Sequence, residues 1–312
     1  MNIFSQASEH FSQQKITEQG RQAAETQHIL RALEVEKRGG KRFRPFASAV
    51  AYCARQNWFY GNGKGSEVSV LDPALNLYQG IGEGVEARIV QGMSAHGYLL
   101  GSQVRLPNPP KSFGIDVGGF IDAIGYDSKG NVSAYEIKTA GTIPPVPKAT
   151  HLSQAMTYAI LGGIDNVFLV YVGRKVQDFP DPTPLVKVFK VDVFELLLEY
   201  ATTLVMSCHS LTNPKTPQRP ATFRKSIECQ YCDFRERCWG EIDVATMPAS
   251  EYAERFAEAE KTAAELIAQR PQFYGELLEN CTPSIPHGKE DELKVLISAA
   301  YKKAVEVKRR RM

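Results

Sequence analysis

The chain has 312 residues, 43% of them hydrophobic and 23% charged, enough apolar material for one large domain or two modest ones, which argues against global disorder. Its formal net charge is only +2, so affinity for nucleic acid must come from local basic patches and not from the overall field. No apolar run of about 18 residues occurs, and the start, MNIFSQASEH, lacks a basic n-region with an apolar h-region behind it; the expectation is a cytoplasmic protein with no membrane partner.

Residues 5 to 36 are polar and rich in Gln, Glu and Ala, which predicts a leading helix with a weak apolar stripe. The basic, glycine-containing KRGGKRFRP (37–45) reads equally as a solvated loop or as a phosphate contact. FRPFASAVAYCARQNWFYG (43–61) predicts a helix carrying Cys53, and residues 73–100 a long helix. GSQVRLP (101–107) is a short strand. FGIDVGGFIDAIGYD (113–127) and NVSAYEIKTAG (131–141) are two strands around the turn SKG. HLSQAMTYAILGG (151–163) is a helix ended by glycines. NVFLVYVG (166–173) suits a strand buried on both faces, and LVKVFKV (185–191) an edge or half-buried strand. Residues 192–211 are a helix with Asp192 as its N-cap. From about residue 248 the chain is helical and charged. The middle therefore reads αβββαβ, an α/β fold with a mixed central sheet. The expected division is an N-terminal helical segment (1–42), a core (43–245) and a C-terminal helical extension (246–312).

Chemistry concentrates in the strand pair of residues 113–141. If it pairs regularly about Lys129, residues whose numbers sum to 258 face each other, and Asp122 and Glu136 meet that sum. Opposed residues on one face have Cβ atoms about 4.5–5.5 Å apart. Two carboxylates that close repel, unless a hard divalent cation such as Mg²⁺ or Mn²⁺ lies between them. Lys138 projects from the same face as Glu136, whereas Tyr135 and Ile137 point the other way, towards a helix layer. The carbonyl of Ile137 offers a further metal ligand, and Lys138 is suited to holding the water that such a metal acidifies. An E-x-K triplet alone also fits a solvated strand; the opposed Asp122 raises its information. Gln154 and Tyr158 share one helical face, spaced i and i+4, and are expected to contact substrate.

GFIDAIGYD with AYEIKT and then QAMTY resembles the RecB-type branch of the PD-(D/E)XK nuclease superfamily, where a Q-x-x-x-Y motif follows the D…E-x-K core. The resemblance implies the restriction-endonuclease-like form of the αβββαβ core and a metal-dependent deoxyribonuclease. It also implies one more metal ligand, a histidine or glutamate, on the helix before the sheet. Glu86 in GEGVEARIV is favoured, because it sits mid-helix with room for a strand before Asp122. His96 is the alternative, near the helix end, where a histidine is also favoured by the helix dipole.

Of six cysteines, Cys229, Cys232 and Cys238 form the triplet C-x2-C-x5-C, and three thiolates need a fourth ligand. Cys53, upstream of the whole core, is the best fourth. One cysteine before the core and three after it resembles the CRISPR-associated exonuclease family and the iron–sulfur RecB-like and AddB-like nucleases. That resemblance implies a structural [4Fe-4S] cluster on Cys53, Cys229, Cys232 and Cys238, stapling the chain ends together. Zinc is the rival, since C-x2-C is also a zinc knuckle. Cys208 and Cys281 read as ordinary buried thiols.

These readings converge on a DNA exonuclease acting on ends or single strands. Recombination, repair or CRISPR-adaptation proteins are the implied partners, and a homo-oligomeric ring is a known option in the family resembled. Arg55, Arg224, Lys225 and Arg235 are weaker candidates for phosphate contact. The alternatives are a non-catalytic DNA-binding adaptor and a zinc-stapled nucleic-acid binder.

Overall fold

The computed structural model describes residues 35–36, 46–50, 54–62, 70–71, 73–174, 185–211, 213–215, 232, 234–239 and 247–281. Along the chain these form β1 (Val35–Glu36), α1 (Ala47–Val50), α2 (Ala54–Gly61), β2 (Val70–Leu71), α3 (Pro73–Ala95), β3 (Leu99–Arg105), a 3₁₀ turn (Lys111–Phe113), β4 (Phe120–Tyr126) and β5 (Val132–Ala140). There follow α4 (Ala149–Leu161), β6 (Val167–Gly173), β7 (Val186–Lys190), α5 (Leu197–Ser210), α6 (Arg235–Trp239), α7 (Ala249–Ala268) and α8 (Arg270–Asn280). Contacts among them fall into two units: β1, β2 and the start of α3 in one, and everything from Gly84 on, with α1 and α2, in the other. Val35 and Glu36, expected in a helix, instead pair antiparallel with Leu71 and Val70, because an apolar β-branched residue with a strand partner is better placed in a ladder.

The second unit is built on a five-stranded mixed sheet in the order β3-β4-β5-β6-β7. β5 and β6 are parallel and the other pairs antiparallel, so α4 is the crossover between the parallel strands. The inner strands supply fully buried Ile124, Ala134, Val167, Leu169 and Tyr171. Against them pack Ala155, Tyr158 and Ala159 of α4 and Ala201, Leu204 and Val205 of α5. Ala259, Ala263 and Leu266 of α7 and Phe273 and Leu277 of α8 join the same core, so these C-terminal helices belong to the body that carries the sheet. Arg270 clamps them to α4: its guanidinium donates to the Ala159 carbonyl at 2.8 Å and pairs with Asp165 at 2.5 Å.

Three boundaries differ from expectation by five residues or more. α3 stops at Ala95, five residues early, because Gly97 takes the left-handed φ of 72° and the Tyr98 amide returns to the Met93 carbonyl at 2.8 Å. That is a helix stop only glycine adopts without strain. β4 begins at Phe120, since Lys111–Phe113 is a 3₁₀ turn and Gly114 is left-handed. α5 begins at Leu197 and Asp192 does not cap it; burial of Val191 and Val193 holds the chain against the core, and a turn over residues 193–196 precedes the helix. Among the described residues no helix is long and apolar enough to cross a membrane.

Candidate active site

β4 and β5 pair as Ala123 with Tyr135, Ile124 with Ala134, Gly125 with Ser133 and Tyr126 with Val132. Every pair sums to 258, and one more step of that register sets Asp122 against Glu136. The backbone ladder ends there, and the Asp122 side chain takes its place: the Ile137 amide donates to Asp122 Oδ2 at 2.8 Å. In an extended strand the N–H and C=O of one residue point to the same neighbour, so the Ile137 carbonyl also faces β4.

Glu136 is 1% exposed and pairs with the ammonium group of Lys138, which keeps partial access to solvent. A buried carboxylate of this kind needs its oxygens satisfied. Its second oxygen accepts from the Tyr158 hydroxyl at 2.5 Å, with the Phe120 carbonyl 3.1 Å from the same hydroxyl. Gln154 Nε2 in turn donates to that hydroxyl at 2.7 Å. Burial and the charge of Glu136 hold the Tyr158 phenol well above its ordinary range, so it remains a donor. α4 thus stands on the same side of the sheet as Glu136. Tyr135, on the opposite face, stacks on Phe168 with ring centroids 5.4 Å apart.

Burial first, and then Glu136, push the Asp122 carboxyl up to about 8, and Glu86 adds to the rise. Lys138 and the Ile137 amide act against it without cancelling it. With Asp122 and Glu136 both ionised, the cluster would carry more negative charge than Lys138 balances. Two carboxylates and a carbonyl are the oxygen donors that a hard divalent ion takes. Glu86 stands at one remove, its carboxylate accepting from Gln103 Nε2. Gln103 has the left-handed φ of 48°, unusual for a non-glycine residue, between the β3 residues paired with Ala123 and Ile121. Among the described residues no group of three or more His, Cys, Asp or Glu converges as a ready-made ion cage.

The structure thus brings Asp122, Glu136, Ile137, Lys138, Gln154 and Tyr158 together, and sets Glu86 nearby. Gln154 and Tyr158, expected to touch substrate, face Glu136 in the structure. Both are buried, Tyr158 completely, and their polar atoms are spent on each other and on Glu136. His96, the alternative to Glu86, lies beyond the end of α3 and stacks on Tyr98. Arg55 is 5% exposed, with its guanidinium 6.0 Å from the Phe59 ring centre. Arg235 is exposed, whereas Arg224 and Lys225 lie outside the described residues.

Residues the sequence reading passed over adjoin the site. His151 precedes Gln154 by three positions on α4, and its Nδ1 lies 2.7 Å from the hydroxyl of Tyr171, the β6 partner of Lys138. The spacing 151, 154, 158 was a visible signal for His151, being one helical face. Nothing in the sequence marks Tyr171, whose place depends on the parallel pairing.

Cys53 and Cys229 lie outside the described residues. Cys232 and Cys238 are half-buried and pack on a small aromatic core of Trp58, Phe59, Tyr60 and Phe234. Phe59 stacks on Phe234 at 5.0 Å, and Tyr60 meets it edge-on at 4.7 Å. The Phe234 amide donates to Cys232 Sγ at 3.5 Å. α2, which begins one residue after Cys53 in sequence, therefore packs on Phe234, which stands between Cys232 and Cys238. Cys208 and Cys281 are buried, and burial pushes both thiols up to about 12.

A family model described as PD-(D/E)XK nuclease superfamily matches residues 4–239. The chain belongs to that superfamily. Membership makes this PD-(D/E)XK protein a nuclease by family, in a group that typically uses Mg²⁺ or Mn²⁺. A solved structure titled "Crystal structure of SSO0001" aligns over 68% of this chain and 95% of its own, with 17% identity and a TM-score of 0.42. No curated protein matches the chain.

Proposed function

We propose that this PD-(D/E)XK protein is a metal-dependent DNA exonuclease that hydrolyses phosphodiester bonds at ends or in single strands. The observation that carries the reading is the junction of β4 and β5, where the Asp122 carboxylate replaces a ladder bond beside the Glu136–Lys138 pair. Asp122, Glu136 and the Ile137 carbonyl would hold the divalent ion, with Glu86 completing the set. Such an ion supplies Lewis acidity at the phosphate and eases deprotonation of the attacking water. Lys138 orients that water and offsets the charge that grows on the phosphate oxygens. Tyr158 and Gln154 fix the Glu136 carboxylate, a positioning role that follows from their burial.

The single-strand preference draws on Phe120, 52% exposed and two residues from Asp122. Its cross-strand partner Arg105 is exposed as well. An aromatic face and a guanidinium side by side suit an unpaired base and its phosphate. Exonuclease action, a [4Fe-4S] cluster, and a place in recombination, repair or CRISPR adaptation rest on the cysteine arrangement. The packing of α2, whose first residue follows Cys53 in sequence, on Phe234 supports it.

The test is digestion of end-labelled single- and double-stranded DNA with Mg²⁺ or Mn²⁺. Loss of labelled ends in wild type and none in Lys138→Ala is the expected result; equal digestion by both proteins would sink the assignment. Iron content and absorbance near 400 nm are expected in the purified protein. Bound zinc without iron would replace the cluster by a zinc staple and leave the catalytic reading standing.

A further inference from the structure

His151 is absent from the D…E-x-K and Q-x-x-x-Y constellation, yet its hydrogen bonds favour one chemical form. The Tyr171 hydroxyl accepts from the Lys148 amide at 3.1 Å and lies 2.7 Å from His151 Nδ1. A phenol has one proton to give. With its oxygen already receiving the Lys148 N–H, the hydroxyl serves as both acceptor and donor when that proton goes to His151 Nδ1. The imidazole then carries its own hydrogen on Nε2, the atom on the far side of the ring, and no described residue accepts from it. The charged and titratable groups around the ring act in the same sense. Lys138 approaches from β5, Lys148 from the residue preceding α4 and Tyr171 from β6, while Gln154 follows one turn along α4. None is an anion that would stabilise an imidazolium; burial first, then Lys138 and Lys148, hold the ring neutral down to about 4.

We propose that His151 is a substrate-contact residue, a neutral donor whose Nε2–H binds a non-bridging phosphate oxygen of the DNA strand beside Lys138. The assignment rests on the nuclease reading and adds a subsite to it. A neutral donor contributes direction without further positive charge, leaving Lys138 the cation nearest Glu136. Tyr171 and the Lys148 amide are its positioning groups: they favour the tautomer that carries the donor on Nε2. This is the same division of labour by which a hydrogen bond on one ring nitrogen sets the role of the other.

The test has one spectroscopic and one functional arm, both on the full chain. In protein labelled with ¹⁵N-histidine, with the His151 signals identified by their loss in His151→Phe, Nδ1 should be unprotonated and Nε2 protonated from about pH 5.5 to 8. A signal that titrates near the ordinary value of about 6.5, or one protonated on Nδ1, overturns the proposal. In the second arm, binding of a fluorescein-labelled single-stranded oligonucleotide is measured in EDTA, and KM is measured with Mn²⁺. His151→Phe should weaken binding and raise KM about tenfold with kcat little changed, the size of one hydrogen bond to a charged group. His151→Gln, which keeps an N–H donor, should recover most of the loss. Unchanged binding and KM in His151→Phe overturn the contact, provided thermal melting shows the variant folded. A misfolded His151→Phe shifts the decision to His151→Gln and to the NMR signature. If wild type binds the oligonucleotide but cleaves nothing, the nuclease reading fails while the contact stands.

Discussion

The two chemically marked regions of this chain are built in opposite ways. The carboxylate site lies on the main core, and each polar group in it is tied to another: Asp122 to the Ile137 amide, Glu136 to Lys138 and Tyr158, Tyr158 to Gln154. The cysteine region sits on a separate core of four aromatic residues, with Cys232 and Cys238 at its edge. The first is tied together by the protein's own groups, so on the proposed reading a metal there serves catalysis and not the fold. The second buries little of its own, and small cores commonly depend on a metal or cluster for stability. One region should therefore lose activity when disturbed and keep its fold, whereas the other should lose its fold.

The largest expected effect tests the first half of that contrast. Lys138→Ala should lower kcat by roughly 10²–10⁴-fold, the range for a residue that handles the proton or the developing charge. Its melting temperature should fall moderately with the fold kept, because buried Glu136 loses its cation but still accepts from Tyr158. A variant that melts far below wild type would show that the Glu136–Lys138 pair supports the fold as well.

Next comes Phe234→Ala. Phe234 is fully buried between Phe59 and Tyr60, and its removal should cost about 3–5 kcal/mol, measured by denaturant unfolding. The same variant should release whatever metal the thiols hold, measured as iron or zinc per chain. Retention of full metal content would separate the aromatic core from the cysteine site and weaken the contrast.

How much of this was legible in the sequence follows the same division. The register of β4 and β5 could be read because the turn at SKG fixes it, and a pairing sum places Asp122 against Glu136 without any long-range information. The mixed sheet was legible in outline from the pattern of strands and helices. Tyr158 was visible as the partner of Gln154, but spacing on a helix does not say whether a face looks at solvent or at a buried carboxylate. Gln103 was not legible at all: its left-handed backbone and its bond to Glu86 arise from the way β3 meets β4 around Asp122, and glutamine has no local preference for that conformation. Asp192 fits the cap pattern, yet burial of Val191 and Val193 overrode it, as tertiary packing commonly does with local propensity.

A smaller effect sharpens the role of the α4 side chains. Tyr158→Phe keeps the ring in the core and removes only the hydroxyl that donates to Glu136. A positioning role predicts a fall in kcat of about tenfold with KM for DNA unchanged, the scale of one hydrogen bond to a charged group. A rise in KM with kcat intact would return Tyr158 to substrate contact. Phe120→Ala predicts the reverse split: KM on single strands rises by about fivefold or more and kcat holds, since stacking on one base is worth about 1–3 kcal/mol.

The smallest expected effect is electrostatic and concerns stability at mild acid. The folded protein holds His151 neutral down to about 4, whereas an unfolded chain protonates it near the ordinary 6.5. Between those values the unfolded state binds the extra proton, so His151 makes folding less favourable as the pH falls through that window and contributes nothing to the slope above it. The ring is partly exposed, which reduces the effect to a modest shift in melting temperature. Other groups titrate in the same range, so the informative quantity is the difference between wild type and His151→Phe from pH 7 down to 4.5. Wild type should lose more melting temperature than the variant over that interval. Parallel curves would mean that the imidazole accepts its proton as readily in the folded chain as outside it, and that the polar network of the carboxylate site stops short of His151.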